Sequence, residues 1–335
     1  AKRLFFTTDI NHAIKNSDII FIAVGTPTAK DGVCADLKNV YAVAETISKN
    51  INKFKIIITK STVPVCTGDE VEKILRKKNS SSKFEVVSNP EFLREGEAIR
   101  DFRYPDRVVI GSNNPKKTIP ILKKLYEPIT KKGAKFISTS RRSAELIKYA
   151  ANAFLATKIT FINEIANLCE QVGSNVEDIA IGIGTDARIG SRFLRAGPAY
   201  GGSCFPKDTK ALTKIGKRFK THMSVVETVI KSNEKRKNNL ADKILNILKN
   251  PKGKKVGFLG VTFKANTDDM RDTQCLKIFP KLLKKGVKLS YYDPTGEKKD
   301  LKKIRFLKNT KEILNNNDLV VIHTEWDEFR SLDFK

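Results

Sequence analysis

The stretch DIIFIAV (residues 18–24) is apolar almost throughout and rich in β-branched side chains. Three largely apolar runs of similar length follow it, KIIIT (55–59), FEVVS (84–88) and RVVIG (107–111), and helical patterns separate them. Apolar runs that do not alternate with polar residues are typical of strands covered on both faces of a sheet. The chain to about residue 138 is therefore predicted to form a doubly wound parallel α/β sheet.

The next part of the chain changes its periodicity. Residues 143–172 show a helical pattern without proline or glycine, which is long for an ordinary surface helix and predicts one that spans between domains and contributes to a dimer interface. A second helical stretch, 223–248, leads to the linker NPKG (250–253). Strands then return at 255–260, 287–292 and 318–323 and predict a second α/β sheet.

The predicted fold class is α/β, with two doubly wound, Rossmann-like parallel-sheet domains joined by a central long-helix domain. The predicted boundaries are 1–138, 139–250 and 251–335. No G-x-G-x-x-G fingerprint follows a strand, and Gly182-Ile183-Gly184 lacks the third glycine and lies in a helical pattern. Since the opening βαβ unit is missing and the last strand ends near Lys335, the first and last domains are expected to be incomplete.

Composition limits the class of protein. The 335 residues carry five cysteines without a C-x-x-C pair, which predicts neither a disulfide framework nor a metal site. The net charge of +26 comes from lysines spread over every segment without an aromatic-interleaved stripe, so we expect a solvated surface rather than a nucleic-acid partner. No apolar run reaches the roughly 18 residues of a membrane helix, and the first residues lack a secretory pattern, so the cytoplasm is expected.

The stretch GGSCFPKD (201–208) carries the strongest chemical signal. A flexible diglycine precedes Cys204, and Pro206 is suited to the first position of a helix. A cysteine near a helix N-terminus, with Lys207 close by, is favoured as a nucleophile at neutral pH. The other cysteines are expected to be ordinary buried apolar residues. They are Cys34, Cys66, Cys169 and Cys275.

Lys148 and Asn152 lie four residues apart on the predicted long helix and so share one face. An ammonium and an amide side by side form a donor pair suited to an oxyanion. Taken alone, the pair is weak evidence and fits a solvated lysine on an exposed helix face better.

Polar segments follow three predicted strands, at the edge where ligands collect in doubly wound sheets. They are VGTPT (24–28), KSTVP (60–64) and SNPEFLREG (88–96), in which Glu91 and Glu95 could order water or bind hydroxyls. Each segment, taken singly, could equally be only a turn.

Together these segments resemble the UDP-glucose/GDP-mannose dehydrogenase family along nearly the whole chain, in that family's order and spacing. The motifs are VGTPT, KSTVP, NPEFLREG, ELIKYAANAFLATKITFINE (145–164), GGSCFPKD and FKANTDDMR (263–271). The lysine of KSTVP, the phenylalanine of CFPKD and the stretch KITFINE resemble the UDP-glucose branch more than the GDP-mannose branch. The resemblance implies oxidation of the C6 alcohol of UDP-glucose to a carboxylate, with two NADH formed.

The resemblance also implies roles for single residues. Cys204 is the nucleophile, Lys148 and Asn152 hold the reacting oxygen, Asp208 and Thr62 position a water, and Glu95 assists thioester hydrolysis. The implied NAD contacts are Val24, Gly25, Thr26, Pro27, Thr28, Ser61, Thr62, Val63, Glu95, Cys204, Lys207 and Arg271. The implied nucleotide-sugar contacts are Glu91, Phe92, Leu93, Arg94, Glu95, Lys148, Asn152, Arg188, Phe193, Leu194, Arg195, Ala196, Gly197, Gly201, Phe263 and Lys264. Arg188 resembles an arginine that reaches the substrate of a second subunit, which implies a homodimer.

The chain departs from the family pattern at a few points. The glycine fingerprint would lie ahead of Ala1, and an arginine that the family places beyond the last strand would lie past Lys335, so turnover by this chain alone is in doubt. Ala199 and Cys66 stand where the family usually has glycine.

Four alternatives remain open. A β-hydroxyacid dehydrogenase would share the overall plan and a lysine four residues before an asparagine, but it has no use for Cys204. A GDP-mannose dehydrogenase keeps the cysteine and differs mainly in its base and sugar contacts. A basic nucleic-acid-binding protein would bind DNA with strong salt dependence, and a non-catalytic remnant would fold without turnover.

Overall fold

A computed structural model describes residues 3–29 and 35–334. The chain forms two compact units that divide within one long helix. The first unit holds the chain up to Ala151 together with Lys214–Thr221, and the second holds Asn152–Thr213 and the chain from His222 onward. Within the described ranges, no helix combines the length and the apolar character needed to cross a membrane.

The first unit is built around a five-stranded sheet with the order β1-β2-β3-β4-β5. Its strands are β1 (Ile19–Ile22), β2 (Lys55–Thr59), β3 (Phe84–Ser88), β4 (Arg107–Ser112) and β5 (Lys135–Thr139). Its helices are α1 (Ile10–Asn16), α2 (Lys38–Asn50), α3 (Thr67–Arg76), α4 (Ala98–Arg103), α5 (Pro115–Thr130) and the first turns of α6 (Arg141–Val172), and a short 3-10 turn spans Ser81–Lys83.

Strand β2 shows why the apolar runs predict a covered sheet. All five of its residues are buried. Ile57 packs into one core cluster with helices α2 and α3, whereas Ile56 and Ile58 pack into a second cluster with α5. Because side chains of a strand alternate between its two faces, a strand covered on both sides is apolar along its centre, as residues 56–58 are.

The sheet differs from the prediction at one junction, because β3 and β4 pair antiparallel while the other neighbours pair parallel. A parallel connection needs a crossover that covers one face of the sheet. The only helix between these strands, α4, has six residues and none of them is buried. The chain therefore returns along the sheet, and β4 runs in the opposite direction to β3.

The second unit contains a four-stranded, wholly parallel sheet with the order β8-β7-β6-β9. Its strands are β6 (Lys255–Leu259), β7 (Lys288–Tyr292), β8 (Arg305–Phe306) and β9 (Leu319–Ile322). Its helices are the rest of α6, α7 (Val176–Gly184), most of α8 (Phe205–Arg218), α9 (Ser224–Leu248), α10 (Cys275–Lys284) and α11 (Thr310–Asn316), with 3-10 turns at Lys299–Leu301 and Asp327–Ser331.

Aromatic and aliphatic side chains fill this second core. Phe258 of β6 meets Phe279 of α10 edge-on, with ring centroids 4.6 Å apart. Ala241 and Ile244 of α9 belong to the same cluster, while Ile313 of α11 packs into a separate cluster with Leu259. The sheet is thus covered on both faces, as the apolar strand runs predicted.

Candidate active site

In the first unit, three residues that the sequence selected meet at one carboxylate. Glu91, in the segment after β3, accepts from Lys148 of α6 with 3.1 Å between Oε1 and Nζ. The hydroxyl of Thr62, which follows β2, lies 3.5 Å from the same oxygen. The Lys148 side chain is only 5% exposed, so the alternative of a solvated lysine is wrong. We call Thr62, Glu91 and Lys148 the Glu91 cluster.

The residues that follow Glu91 differ in the groups that they contact. The ring of Phe92 lies close to two cations, with its centroid 5.5 Å from Lys148 Nζ and 3.9 Å from Arg107 Cζ. The main-chain N–H of Leu93 donates to Glu91, and Glu95 is half-buried. Arg94 instead makes three hydrogen bonds to the carboxylate of Asp101, so its guanidinium is held on the local loop.

Lys60 lies beside this cluster, although in the sequence it stands out only as the lysine of KSTVP. Its ammonium donates to Asn89 Oδ1 at 3.1 Å. Burial lowers the pKa of Lys60 to about 8, against the opposing effect of the Glu91 charge. Its place directly after the buried strand β2, at the edge where ligands collect, is the signal that could have selected it.

Glu145 fixes the start of α6, one turn before Lys148. Its two carboxylate oxygens accept from the main-chain N–H groups of Cys66 and Gly68, each at 2.8 Å, and from the Ser88 hydroxyl at 3.0 Å. Burial raises the pKa of Glu145, and the three hydrogen bonds oppose that shift. Because Ser88 ends β3 and Gly68 lies in the first turn of α3, this carboxylate ties α6 to the sheet edge that carries the Glu91 cluster.

The loops expected to bind NAD follow β1 and β2, whose parallel pairing places their carboxyl ends at one sheet edge. The Ser61 hydroxyl donates to the carbonyl of Val24 at 2.6 Å, and the Thr26 hydroxyl donates to the carbonyl of Thr62 at 3.0 Å. The other residues selected there are Gly25, Pro27 and Thr28, which are exposed, and Val63, which is buried. Main-chain groups and hydroxyls that are accessible at this edge fit the sugar and amide parts of a dinucleotide.

In the second unit, Cys204 directly precedes helix α8, which begins at Phe205 rather than at Pro206 as predicted. The Cys204 side chain is exposed, and the Ser203 hydroxyl lies 3.6 Å from its Sγ. The carbonyl of Cys204 accepts from the N–H of Asp208 at 2.8 Å, which closes the first turn of the helix. The thiol is thus accessible at a helix N-terminus.

The remaining cysteines follow the prediction only in part. Cys169 and Cys275 are buried, and burial raises the pKa of the Cys275 thiol. Cys66 is half-exposed, so its assignment as a buried residue is wrong. It lies at the left-handed residue before α3, outside the core. Cys34 lies outside the described residues.

Asp208 and Asn152, both selected as catalytic, contact each other directly. The Asn152 amide donates from Nδ2 to Asp208 Oδ2 at 2.6 Å, and both side chains are buried. Lys207 Nζ lies 3.6 Å from the other carboxylate oxygen. Because a side-chain amide has two N–H donors, Asn152 can hold Asp208 and still donate to a second oxygen.

The diglycine before Cys204 is required by close packing, not by flexibility as the sequence suggested. A Cβ at Gly201 would lie 2.5 Å from the carbonyl oxygen of Asp272. A Cβ at Gly202 would lie 2.6 Å from the Phe263 ring, and the φ of Gly202 is +77°. The N–H of Gly202 donates to the carbonyl of Arg271 at 2.9 Å, so the two predicted ligand segments are joined through their main chains.

Other selected residues of this unit surround the same loops. Arg195 forms an ion pair with Glu325, with 2.6 Å between Nη2 and Oε2. Arg188 is exposed and pairs with Asp186 of its own loop. The remaining placements are Phe193 edge-on to Phe205, Leu194 buried, Ala196 and Gly197 half-buried, Lys264 beside the ring of Phe263, and Arg271 bonded to Asp269.

Two α/β sheets, an exposed cysteine at a helix N-terminus and a lysine–carboxylate cluster after parallel strands fit the class of nucleotide-dependent enzymes that use a thiol. The chain belongs to the UDP-glucose/GDP-mannose dehydrogenase family. Family models match its NAD binding domain at residues 1–130, its central domain at 142–235 and its UDP binding domain at 257–335.

Similar proteins agree with this membership. The UDP-glucose 6-dehydrogenase of Rhizobium meliloti is 49% identical over 337 residues, which cover 99% of this chain and 77% of that protein. The enzyme of the same name from Rickettsia felis is 47% identical and covers 100% of this chain and 75% of its own length. The solved UDP-glucose dehydrogenase of the archaeon Pyrobaculum islandicum superposes with a TM-score of 0.93 at 35% identity, over 100% of this chain and 78% of that one.

Proposed function

We propose that the protein oxidises the C6 alcohol of UDP-glucose to the carboxylate of UDP-glucuronate, with NAD as the oxidant and Cys204 as the covalent nucleophile. The observation that carries the proposal is the exposed thiol of Cys204 at the N-terminus of α8, with Asp208 buried one turn later and bonded to Asn152. The similarity to UDP-glucose 6-dehydrogenases supports the choice of substrate.

A cysteine is needed because the reaction removes four electrons. An alcohol dehydrogenase without a nucleophile would release the aldehyde after the first oxidation. The Cys204 thiol adds to that aldehyde carbon and gives a thiohemiacetal, whose further oxidation yields a thioester and whose hydrolysis yields the carboxylate. NAD, when bound, supplies the hydride acceptor for both oxidations.

The other catalytic assignments follow the charge that each step develops. Lys148 and the second N–H of Asn152 donate to the oxygen on C6. Asp208 and Thr62 position the water that attacks the thioester, and Glu95 accepts its proton. Lys148 forms an ion pair with Glu91, so a sugar hydroxyl or the reacting oxygen must compete with that carboxylate for the ammonium.

The binding assignments are kept as the resemblance gave them. Residues 24–28 and 61–63, with Glu95, Cys204, Lys207 and Arg271, are assigned to NAD. Residues 91–95, Lys148, Asn152, Arg188, Phe193, Leu194, the loop 195–201 and Phe263 with Lys264 are assigned to the nucleotide sugar. The proposed domains are 1–138, 139–250 and 251–335, and the separate matches of the three family models support such a division.

A homodimer is part of the proposal, with the long helix α6 as its contact. Phe154, Phe161, Leu168 and Val172 are exposed on this helix. Their spacings of seven, seven and four residues place them on one face, which is the pattern of a helix that packs against another. Arg188 is exposed as well, as an arginine that reaches into a second subunit would be.

We place the protein in the cytoplasm. Cys66, Cys169, Cys204 and Cys275 are free thiols, as expected in a reducing compartment.

The full-length protein tests the function directly. With UDP-glucose as the limiting substrate, we expect two NADH per sugar, and GDP-mannose at the same concentration should react far more slowly. One NADH per sugar would contradict the four-electron reaction and the need for Cys204. Equal rates with both sugars would instead place the protein in the GDP-mannose branch.

A further inference from the structure

The stretch from Arg195 to Gly201, called here the substrate loop, has neither helical nor strand structure. Main-chain N–H and C=O groups in such a loop must find partners outside the regular ladders. Two helices of the same unit, α6 and α9, supply side chains that bind this main chain at two positions, Gly197 and Tyr200.

At Tyr200 the partner is Asn233 of α9. Its Oδ1 accepts from the Tyr200 N–H at 2.9 Å, and its Nδ2 donates to the Tyr200 carbonyl at 3.1 Å. Asn233 is buried. The side-chain amide therefore pairs with the loop as a neighbouring strand would, and a side chain that can only accept or only donate cannot form both bonds.

At Gly197 two side chains bind the main chain. Oδ1 of Asn163, on α6, accepts from the Gly197 N–H at 2.8 Å, and Nε of Arg236, on α9, donates to the Gly197 carbonyl at 2.7 Å. Arg236 also donates to the main-chain carbonyl of Asn163 at 3.0 Å and to Asn167 Oδ1 at 2.8 Å, so the guanidinium joins both helices to the loop.

The same anchors reach toward the reactive cysteine. The Tyr200 ring packs edge-on against Phe205, with centroids 6.2 Å apart, and Phe205 follows Cys204 in the chain. The ring of Phe193, just before the substrate loop, also packs edge-on against Phe205, with centroids 6.3 Å apart. Movement of the loop would therefore disturb the start of α8 as well as the sugar contacts.

We propose that Asn163, Asn233 and Arg236 are positioning residues that hold the substrate loop in its binding conformation before the nucleotide sugar arrives. The proposal rests on the proposed role of residues 195–201 in binding that substrate. A loop that is already ordered does not lose conformational freedom on binding, so its ligand binds more tightly than it would to a mobile loop. None of the three residues was selected from the sequence.

The same substitution, asparagine to aspartate, at positions 163 and 233 separates a positioning role from simple packing. Nδ2 of Asn163 makes no hydrogen bond within the described part of the chain, so Asn163→Asp keeps the acceptor for Gly197 and places its charge beside Arg236. Asn233→Asp removes the donor for Tyr200 and sets a carboxylate oxygen against a carbonyl. We expect the KM for UDP-glucose to change less than about threefold in Asn163→Asp and to rise about tenfold in Asn233→Asp and in Asn163→Ala.

In Asn233→Asp and Asn163→Ala the KM for NAD should rise less than the KM for UDP-glucose, because the anchors do not bind residues 24–28 and 61–63, which make up most of the NAD assignment. Asn238→Ala, at an exposed position of the same helix α9, is the control and should change neither constant. Thermal unfolding of each variant shows whether it folds. If Asn233→Asp does not fold, the comparison of Asn163→Ala with Asn163→Asp still tests the proposal.

Several results would overturn the proposal. Unchanged KM for UDP-glucose in folded Asn163→Ala and Asn233→Asp would do so, as would a parallel rise of both KM values. Calorimetry with UDP alone separates this failure from a failure of the proposed function. If the parent neither binds UDP nor oxidises UDP-glucose, the function is wrong, whereas an active parent with unaffected variants removes only the positioning role.

Discussion

The Glu91 cluster and the Cys204 loop (Gly201–Cys204) are organised by different forces. In the cluster, an ammonium and a carboxylate from distant parts of the first unit meet at 3.1 Å, and the lysine is almost fully buried. In the loop, main-chain hydrogen bonds and the close approach of Gly201 and Gly202 to residues 263–272 fix the backbone, while the thiol stays exposed. One region depends on charge and the other on backbone geometry.

This difference decides which substitutions should be damaging in each region. A buried ion pair tolerates little loss of charge, because the partner left behind remains partly desolvated. A close-packed loop tolerates little added volume or altered φ, but it can accept a change in the functional atom of an exposed side chain without refolding. The most informative substitutions therefore change one property at a time.

The largest effect is expected for Cys204→Ser, which replaces sulfur by oxygen on the exposed side of the loop. Turnover to UDP-glucuronate should fall by about 10³-fold or more, since a hydroxyl is a far weaker nucleophile than a thiolate. Binding of UDP-glucose and NAD should stay close to the parent, because the loop backbone is untouched. Calorimetry and mass spectrometry of the product mixture measure both quantities.

Cys66→Ser makes the same atomic change at a half-exposed cysteine of the other unit and should leave turnover within about twofold. If Cys204→Ser forms UDP-glucuronate at the parent rate, Cys204 is not the nucleophile, and the Cys204 loop loses its assigned role.

Lys148→Met keeps an unbranched apolar stem and removes the ammonium from the Glu91 cluster. We expect kcat to fall by about 10²- to 10³-fold, the usual cost of losing one oxyanion donor. Arg142→Met is the matched control, since Arg142 also carries a positive charge on α6 but pairs with Asp69 at an exposed position. Equal losses in both variants would show that net charge on α6, and not the donor at residue 148, governs the rate.

The sequence predicted most of the sheet strands because a covered strand must be apolar on both faces. Strand β2 spans Lys55–Thr59 and β3 spans Phe84–Ser88, both as predicted. Strand β5 was missed because its residues are mostly exposed, and β8 was missed because it has only two residues. The direction of β4 depends on how the chain crosses between strands, and no residue pattern within β4 carries that information.

The candidate site was predictable where a side chain carries its own chemistry. Cys204, Lys148 and Glu91 were selected by residue type and spacing. Lys60, Asn163 and Asn233 were not, because a lysine or an asparagine gains its role only from burial and from the atoms it meets. Those partners lie between 29 and 34 residues away in the chain, so no local pattern shows them.

An intermediate effect is expected for the buried side chain of His323, and it concerns the dependence of the free energy of unfolding on pH. His323, directly after β9, is buried beside Phe258 and shares a hydrogen bond with Thr324. Burial lowers its pKa to about 4, and the charge of Asp293 opposes this. The unfolded chain, with an ordinary histidine, binds the proton first, so the free energy of unfolding should fall by about 3 kcal/mol as the pH drops from about 6.5 to about 4.

Denaturant unfolding of the whole protein at pH 7 and at pH 4.5 measures this loss. His323→Gln should remove most of it, whereas His12→Gln, at an exposed position, should keep it. An unchanged pH dependence in His323→Gln would show that groups other than His323 cause the acid sensitivity.

The smallest effect concerns backbone strain, and it compares the two units directly. Cys66 has φ +77° in the first unit and Ala199 has φ +150° in the second, and both values lie in the region that favours glycine. A side chain with such a φ costs about 1 to 3 kcal/mol, and the added freedom of glycine in the unfolded chain offsets part of any gain. Cys66→Gly and Ala199→Gly should therefore each raise the free energy of unfolding by about 1 kcal/mol.

Gly173→Ala is the reverse control, because Gly173 has φ +70° and open space around its Cβ position, so alanine there should destabilise by about 1 kcal/mol through φ alone. Ala199 lies in the substrate loop and its carbonyl accepts from Gln274 at 2.6 Å, whereas Cys66 is held by Glu145. Ala199→Gly should thus also raise the KM for UDP-glucose slightly, as the loop gains freedom, while Cys66→Gly should not. Stabilisation by both variants with equal, unchanged KM values would show that the bond from Gln274 and the anchors at Gly197 and Tyr200 hold the loop whatever residue stands at 199.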